Sequence, residues 1–266
     1  MKTSVSENNA PQQAAPAGCG CEQVTPYGSR GDSKAEQVRD MFDNIAPAYD
    51  FMNRAMTFGI DRLWRRRAVG MLRRHGARRI LDVATGTADL ALLMARMLPQ
   101  SAVTGVDLSE GMIAVGRRKV DEAGLGSRIC LQCADCLALP FPDASFDAVT
   151  VAYGVRNFES LAAGYAEMAR VLRPGGRLCV IELSTPRSPL VRPLYNLYTR
   201  HIIPAVGRLV AHDTRAYAYL PESIAAVPQG DDMLALMRRA RLTQTKCHPL
   251  TFGTCSIYTA VRPDKE

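Results

Sequence analysis

Acidic residues stand at the ends of apolar segments that the sequence predicts to be β-strands. Asp82, Asp107 and Asp135 each close or directly follow one such segment, and Glu182 ends a later one. In an open parallel sheet a ligand binds at the carboxyl ends of the strands, so these carboxylates are predicted to meet at one rim. Carboxylates there accept hydrogen bonds from sugar hydroxyls or stand beside a cation, which predicts a nucleoside or a positively charged ligand.

Asp107 is the residue best placed to accept both ribose hydroxyls of a nucleoside, because it follows the second strand of the predicted sheet. The alternative is a carboxylate that caps the next helix. Asp135 is expected to meet the amino group of an adenine, and Cys136 to offer its backbone N–H to the same ring, so that its thiol carries no chemistry. For this pair the alternative is an ordinary turn at a strand end.

A short loop, Thr-Gly-Thr-Ala at 85–88, lies between the first predicted strand and the helix that follows it. Such a loop lets a ligand approach the backbone at Gly86 and directs free amide N–H groups at it. A dinucleotide site needs glycines in the G-x-G-x-x-G spacing, and this chain has Ala88 and Ala91 at the second and third positions. Asp82 at the mouth of the loop disfavours a pyrophosphate and favours a cation. S-adenosylmethionine, which carries an ammonium and a sulfonium group, fits this combination.

The elements that must position these residues alternate between strand and helix. Helices are predicted from 89, 109 and 161, between five strands near 80–84, 102–106, 129–133, 146–152 and 178–182. This alternation predicts an α/β protein with a parallel sheet and helices on both faces. After a helix near 231–241, two further strands near 246–250 and 256–261 are predicted to end the chain as an antiparallel pair.

Two helices are predicted ahead of the first strand, where they are available to cover a ligand. The first begins after Ser33, whose side chain forms a capping box with Glu36. The second runs from about Asp61 to His75, and the residues at 46–53 are predicted to form a turn between the two helices.

The two remaining segments differ in their apolar content. Residues 185–228 are rich in proline and tyrosine and are predicted to form a lid of short helices. Residues 1–28 have too few bulky apolar side chains to offset the entropy of ordering, so they are predicted to be a disordered tail. The rest, 29–266, is predicted to be a single domain.

The formal net charge is +7 and the isoelectric point is about 9.1, and much of the excess charge lies in one stretch. The arginines of this stretch are Arg62, Arg65, Arg66, Arg67, Arg73, Arg74, Arg78 and Arg79. They form either a solvated helix face or a patch that meets anionic lipid headgroups or another acidic partner. Charge alone suggests a nucleic-acid-binding protein, but the chain lacks the alternation of aromatic and basic residues that would favour one, so no nucleic-acid partner is expected.

The sequence predicts a cytoplasmic protein without a metal site. No apolar run approaches the roughly 20 residues that span a membrane, and the N-terminus lacks the apolar core of a signal peptide. The eight cysteines do not recur with histidines at zinc-binding spacing. We interpret them as buried or inert thiols in a reducing compartment, and this includes the close groups Cys19 with Cys21 and Cys130, Cys133 and Cys136.

Several segments resemble known methyltransferases. The class I S-adenosylmethionine-dependent methyltransferases have segments similar to LDVATGTAD at 81–89, TGVDLSEGM at 104–112, LPFPD at 139–143 and RVLRPGG at 170–176. The ubiquinone/menaquinone biosynthesis C-methyltransferases have segments similar to MFDNIAPAYDFMN at 41–53, GIDRLWR at 59–65, YGVRNF at 153–158 and YAYLPESI at 217–224. The second set is the more specific, and the resemblance runs from about Val24 to Pro263. It implies a Rossmann-like, doubly wound sheet of seven strands.

The resemblance implies C-methylation of a prenylated hydroquinol, with S-adenosylmethionine as methyl donor and S-adenosylhomocysteine as product. Demethylmenaquinol is the first candidate; the alternatives are a ubiquinone precursor, 2-methoxy-6-polyprenyl-benzoquinol, or another small lipophilic acceptor. The cofactor-binding residues that it implies are Thr87, Asp107, Asp135 and Cys136, to which the loop adds Asp82 and Gly86. Tyr49 and Arg156 are expected to face the quinol ring. Arg156 stabilises a phenolate in one interpretation and caps the loop after the fourth strand in the other.

The chain also departs from the family pattern. Thr85 and Ala88 stand where glycines are common, and Ala152 stands where some members have a serine that contacts the cofactor. His201 and His248 are candidates for a general base, but a structural role is the interpretation that we favour for each. We also expect the protein to contact the inner face of the membrane and to form a homodimer.

Overall fold

The computed structural model describes residues 19–28, 31–199 and 214–264. Its helices are α1 (Gly20–Gln23), α2 (Lys34–Ile45), α3 (Tyr49–Thr57), α4 (Asp61–Arg73), α5 (Asp89–Met97), α6 (Glu110–Glu122), α7 (Leu161–Val171), α8 (Arg192–Leu197), α9 (Thr214–Ala226) and α10 (Asp231–Arg239). Its strands are β1 (Arg79–Val83), β2 (Ala102–Asp107), β3 (Ile129–Cys133), β4 (Phe146–Ala152), β5 (Leu172–Leu183), β6 (Thr243–Leu250) and β7 (Cys255–Val261).

The seven strands form one sheet in the order β3-β2-β1-β4-β5-β7-β6. Strands β1 to β5 run parallel to one another, and β7 is antiparallel to both β5 and β6. The strand order reverses between β1 and β4, and open sheets bind ligands at such a switch point, outside the carboxyl ends of the strands. The predicted seven-stranded, mostly parallel sheet with a C-terminal antiparallel pair is confirmed.

Each face of the sheet carries its own apolar core. Leu81 and Val83 of β1 belong to one core, which also contains residues of α7 and α10. Ile80 belongs to the other core, together with residues of α4, α5 and α6. All three side chains are fully buried. A strand covered on both faces has a continuous apolar run, which is why the sequence predicts β1 so clearly.

Serine caps set the start of three helices. The Ser33 hydroxyl accepts a hydrogen bond from the Glu36 N–H and the Glu36 carboxylate accepts one from the Ser33 N–H, which is the predicted capping box. Ser109 accepts from the N–H of Met112 at 3.0 Å and so caps α6. Ser160 caps α7 in the same way. Each cap satisfies a backbone donor that has no partner within its own helix.

The segment predicted as a turn at 46–53 is mostly helical, so that prediction was wrong. Ala46–Ala48 form one 3₁₀ turn with Pro47 in it, and α3 begins directly afterwards at Tyr49. Proline has a φ suited to the first turn of a helix and needs no N–H partner there, so Pro47 introduces a helix. As a result Tyr49 and Asp50 are held on a regular element.

Residues 19–28 lie against the domain, so the predicted disordered tail was wrong for them. The Cys21 side chain in α1 is fully buried in the core that contains α7 and α10. The Lys34 ammonium donates to the Cys21 carbonyl at 2.5 Å and to the Arg156 carbonyl at 3.1 Å. These contacts offset the entropy that is lost when residues 19–28 become ordered, and the composition alone does not reveal them. Residues 1–18 lie outside the described part of the chain.

The predicted lid segment is described at 185–199 and 214–228, where it contains α8 and α9. That this segment acts as a lid stays a prediction, and His201 lies outside the described residues. The single domain at 29–266 stays a prediction as well. Among the described helices, none is long and apolar enough to cross a membrane.

Candidate active site

Two adjoining cavities lie at the carboxyl ends of the parallel strands, and Tyr49 and Tyr153 line both of them. The first cavity encloses about 710 Å³ and is bounded by α2, the start of α6 and the residues that follow β1, β2, β3 and β4. The second cavity encloses about 970 Å³ and is bounded by α3, α4, α8, α9 and the Thr251–Gly253 turn. The two tyrosines therefore separate a chamber built on the sheet from a chamber built on the added helices.

Asp107 ends β2 and lines the first cavity. Its Oδ2 accepts from the N–H of Gly86 at 2.8 Å and its Oδ1 accepts from the N–H of Ser109 at 3.0 Å. Burial raises the pKa of Asp107, and the two N–H groups act in the opposite direction. Each carboxylate oxygen keeps a further lone pair, so the oriented carboxylate can accept two ligand hydroxyls.

Asp135 and Cys136 also line the first cavity, directly after β3. Asp135 Oδ1 accepts from the Leu137 N–H at 2.8 Å, which forms the strand-end turn that the sequence left open as the alternative. Burial raises the pKa of the Cys136 thiol, so the thiol stays protonated. Cys136 is consequently suited to the backbone role predicted for it and unsuited to nucleophilic chemistry.

Asp82 and Thr87 lie behind the wall of the first cavity. The carboxylate of Asp82 is fully buried and accepts from the hydroxyls of Thr150 at 2.6 Å and Thr85 at 2.7 Å. Burial raises the pKa of Asp82 to about 6. The buried Thr87 hydroxyl donates to Asp50 of α3. Of the predicted loop residues, Gly86 alone is at the cavity wall, with Asp82 and Thr87 supporting it from behind.

The glycine-poor loop adopts left-handed backbone at three positions. Gly86 has φ +55°, and Ala84 and Ala88 have φ +51° and +65°. Alanine tolerates this region poorly, so the loop stores strain at the two alanines. Such strain is common where a chain is shaped for a ligand.

The predicted helix cover over the site is present, and two acidic residues that the sequence analysis missed hold it there. Asp43 of α2 accepts from the Ser109 hydroxyl at 2.5 Å and from the Gly111 N–H at 2.9 Å. Asp50 of α3 accepts from Thr87 and from the Lys119 ammonium. The N–H at the start of α6 is a natural partner for a carboxylate, but only the fold shows which carboxylate reaches it.

The second cavity is mainly apolar and aromatic but contains a buried arginine, Arg156. Its Nη1 donates to Glu182 Oε1 at 2.9 Å and to the Tyr153 carbonyl. Burial lowers the pKa of Arg156, but the Glu182 carboxylate and its neighbours outweigh burial and raise it overall, so the guanidinium stays charged. Its Nε is buried and makes no hydrogen bond to any described residue.

Two further residues that line the same cavity, Arg65 and Tyr153, each contain a buried polar atom without a partner among the described residues, namely Arg65 Nε and the Tyr153 hydroxyl. Arg65 donates from Nη1 to Asp61 one turn earlier on α4. The other seven members of the arginine stretch are exposed, so the solvated face predicted for the stretch is wrong at Arg65. Its spacing from the buried Asp61 and Val69 was the available signal, because residues four apart share a helix face.

Of the two candidates for a general base, His201 lies outside the described residues, and His248 is not among the residues that line the two cavities. His248 lies on β6, at the edge of the sheet, in a separate groove with Arg74, Lys246 and other basic side chains, where burial lowers its pKa. The structural role that the sequence favours for His248 stays a prediction. Within the described residues no group of three or more His, Cys, Asp or Glu side chains is arranged to hold a metal ion.

The first cavity contains the kinds of groups that could hold an adenine nucleoside. Asp107 offers two oriented acceptor oxygens for a ribose, and apolar side chains such as Phe42 and Met112 line the space that a base would need. Across Tyr49 and Tyr153, the second cavity offers an apolar space for an acceptor. A nucleoside-bound methyl donor would therefore stand next to its acceptor.

The fold is similar to that of solved S-adenosylmethionine-dependent methyltransferases, and the family match given below places the chain in this class. The methyltransferase SibL, a solved structure of this class, has a TM-score of 0.59 and 22% sequence identity, and the match covers 78% of this chain and 57% of that chain. The model of the ubiE/COQ5 methyltransferase family matches residues 30–262, and the chain belongs to that family.

Two curated relatives match almost the whole chain. The demethylmenaquinone methyltransferase of Bacteroides fragilis is 46% identical over 241 residues, which are 91% of this chain and 98% of the relative. The ubiquinone/menaquinone biosynthesis C-methyltransferase UbiE of Geobacter sulfurreducens is 46% identical over 242 residues, which are 91% of this chain and 93% of the relative.

Proposed function

We propose that this chain methylates a ring carbon of a prenylated hydroquinol, with demethylmenaquinol as acceptor and menaquinol as product. The observation that carries the proposal is the second cavity, an apolar chamber that contains buried Arg156 and adjoins the nucleoside cavity at Tyr49 and Tyr153. The Bacteroides fragilis relative is named for demethylmenaquinone, and the Geobacter sulfurreducens relative is named for both quinones.

On the donor side, Asp107 accepts from the ribose hydroxyls, and Asp135 with the Cys136 N–H meets the adenine. When bound, S-adenosylmethionine supplies a methyl group on a positively charged sulfur. Asp82 lies behind the cavity wall and is mostly ionised at neutral pH, because its pKa is about 6. Its negative charge favours a cationic donor over the neutral product, although the wall reduces the effect.

On the acceptor side, the ring carbon becomes nucleophilic when the neighbouring hydroxyl loses its proton to solvent. The new C–CH3 bond forms as the S–CH3 bond of the donor breaks, and the methylated ring carbon then releases its own proton to solvent, which restores the aromatic ring. Arg156 stabilises the resulting phenolate through its free Nε–H, while Glu182 holds the other side of the guanidinium. The interaction is strong because the cavity is apolar and the guanidinium is oriented before the substrate arrives. Burial raises the pKa of Tyr49, so this residue remains a neutral phenol between the two cavities.

The prenyl tail gives a reason for contact with a membrane. Phe58, which lines the second cavity, is 77% exposed, and Leu194, Leu197 and Phe252 are exposed beside residues that line it. An apolar rim at the mouth of an apolar chamber suits an acceptor that arrives from a lipid bilayer. The exposed arginines of α4 supply attraction to anionic headgroups. That two copies pair as a homodimer stays a prediction.

Flotation with anionic liposomes at low and high salt tests the membrane contact. The full chain is expected to float at low salt and to be partly released at high salt, because salt screens the arginines. Phe252→Ser is expected to weaken flotation at both salt concentrations. Failure of the wild-type chain to float at low salt would exclude the contact.

Methyl transfer is tested with the purified chain under anaerobic conditions. Mass spectrometry of demethylmenaquinol incubated with S-adenosylmethionine is expected to detect menaquinol, and cells that lack the protein are expected to accumulate a quinone lighter by one methyl group. Asp107→Ala serves as the matched control, because it changes the first cavity and leaves the residues of the second cavity as they are. A product formed only from 2-methoxy-6-polyprenyl-benzoquinol would refute the choice of acceptor. Intact binding of S-adenosylhomocysteine without methylation of either quinol would refute the proposed reaction.

A further inference from the structure

We propose that Arg65 and Tyr153 bind a second ring oxygen, para to the one that Arg156 holds, so that the second cavity selects rings with two para oxygens. This inference rests on the proposed function for the identity of the ring. It adds a specificity site that is built from α4 and from the residue that follows β4. The ligand class is an aromatic 1,4-diol, and a ring with one oxygen is the class that the site rejects.

The first support is the position of the unpaired atoms. Arg65 is 7% exposed, Tyr153 8% and Arg156 6%, and each has one polar atom that makes no hydrogen bond within the described residues. All three residues line the second cavity. A buried polar group without a partner costs about 1–3 kcal/mol, so three such groups around one cavity indicate a ligand that satisfies them.

The second support is the balance of charge. Each arginine is paired with a buried carboxylate, Arg65 with Asp61 and Arg156 with Glu182. Asp61 is fixed further by the Thr57 hydroxyl at 2.9 Å. Because these carboxylates neutralise the guanidinium groups, a neutral ring can occupy the cavity without leaving an unpaired charge. The Nε–H groups remain as donors for its oxygens.

Tyr153 connects the two arginine sites. Arg156 donates to its backbone carbonyl, and the guanidinium carbon of Arg65 lies 5.2 Å from the centre of its ring. Tyr153 has φ +60°, a left-handed conformation that costs a non-glycine residue of this size energy. The strained backbone holds Tyr153 between the two cavities, both of which it lines.

Such a site discriminates against a ring with one oxygen, because binding that ring leaves hydrogen-bonding groups of the site without partners. A ring with one oxygen satisfies Arg156 but leaves Arg65 Nε and the Tyr153 hydroxyl buried without partners. Sites that bind a hydroxyl by hydrogen bonds reject analogues that lack it far more strongly than apolar pockets reject a change of size. The expected preference for a 1,4-diol over the matching mono-ol is therefore roughly 10-fold or more, since each tenfold step needs about 1.4 kcal/mol.

Anaerobic titration calorimetry with naphthalene-1,4-diol and 1-naphthol tests the inference on the full chain saturated with S-adenosylhomocysteine. The wild-type chain is expected to prefer the diol, and Tyr153→Phe and Arg65→Lys are each expected to reduce that preference about 5-fold or more. Tyr198→Phe is the matched control: it also lines the cavity, but its hydroxyl already donates to the Met56 carbonyl at 2.6 Å. It is expected to retain the preference.

An unchanged preference in both Tyr153→Phe and Arg65→Lys would overturn the inference, as would a wild-type chain that binds the two rings equally. In turnover, Tyr153→Phe is expected to raise KM for the quinol more than it lowers kcat, because the hydroxyl acts on the far oxygen. Calorimetry needs no methyl transfer. A chain that prefers the diol through Tyr153 but methylates no quinol would thus refute the proposed function and leave this inference standing.

Discussion

The walls of the two cavities come from different parts of the chain. The first cavity uses residues that directly follow β1 to β4, together with α2, and it contains an oriented carboxylate at Asp107. The second uses helices from both ends of the chain and contains two guanidinium groups, Arg65 and Arg156. In the proposed function the sheet therefore builds the donor site, and the added helices build the acceptor site. Changes in one site should leave binding in the other largely unchanged.

The largest effect is expected in the second cavity, from Glu182→Ala. This change leaves the guanidinium of Arg156 buried without its carboxylate, which typically costs 3–5 kcal/mol. Chemical denaturation should register a loss of about that size. The double variant Arg156→Met with Glu182→Leu removes both charges and is expected to remain within about 1–2 kcal/mol of the wild type while losing methylation. Equal stability of the wild type and Glu182→Ala would contradict the role of the ion pair.

Asp107→Ala is the corresponding change in the first cavity. Loss of two charge-assisted hydrogen bonds to a ribose is expected to weaken S-adenosylhomocysteine about 100-fold or more by calorimetry. Asp107→Asn retains one acceptor oxygen and should give an intermediate loss. The preference for naphthalene-1,4-diol, measured without the nucleoside, should be unaffected. Unaltered affinity for S-adenosylhomocysteine in Asp107→Ala would remove the basis for the donor site.

The pH dependence of stability sharpens the contrast, because buried Asp82 behind the first cavity has a pKa near neutral pH, whereas buried Arg156 in the second stays charged. The pKa of Asp82 is about 6 in the folded chain against an ordinary 3.8, so ionisation weakens the folded state. Protonated Asp82 therefore contributes its full stabilising effect below pH 3.8, and this effect is lost as the pH rises through about 6. Between about pH 5 and pH 7.5 the wild type should lose roughly 1 kcal/mol more than Asp82→Asn. Parallel curves for the two chains would contradict the raised pKa.

The smallest effect is expected from Ala152→Ser. Ala152 lines the first cavity. A new hydroxyl that reaches the donor would add about 1 kcal/mol, or roughly 5-fold in affinity for S-adenosylhomocysteine. Ala134→Ser on the same wall is the matched control for a hydroxyl without a designed partner. Weaker binding by Ala152→Ser than by this control would show that the position tolerates only a methyl group.

The sequence predicted the sheet and the first cavity because their signals are local. A buried strand, a loop and a helix follow one another over a few residues, and the carboxylate of Asp107 lies where the period of the apolar pattern changes. The second cavity was predicted only at Tyr49 and Arg156, through a resemblance. Arg65 is hidden in a run of exposed arginines, and Tyr153 acquires its role from a strained backbone that no pattern indicates. Asp43 and Asp50 are recognisable only once their helices are docked.

Lys34 joins the acceptor site to a part of the chain that the family match does not include. Every residue lining the two cavities lies between 35 and 254, and the match begins at residue 30. A protein trimmed to that start would retain both chambers but lose the Cys21 carbonyl, one of the two that receive the Lys34 ammonium. Burial lowers the pKa of Lys34 to about 8, so little of its stabilisation as a cation can be given up. Through Lys34 the N-terminal segment is connected to the loop that contains Arg156, and we expect removal of residues before 30 to loosen that loop.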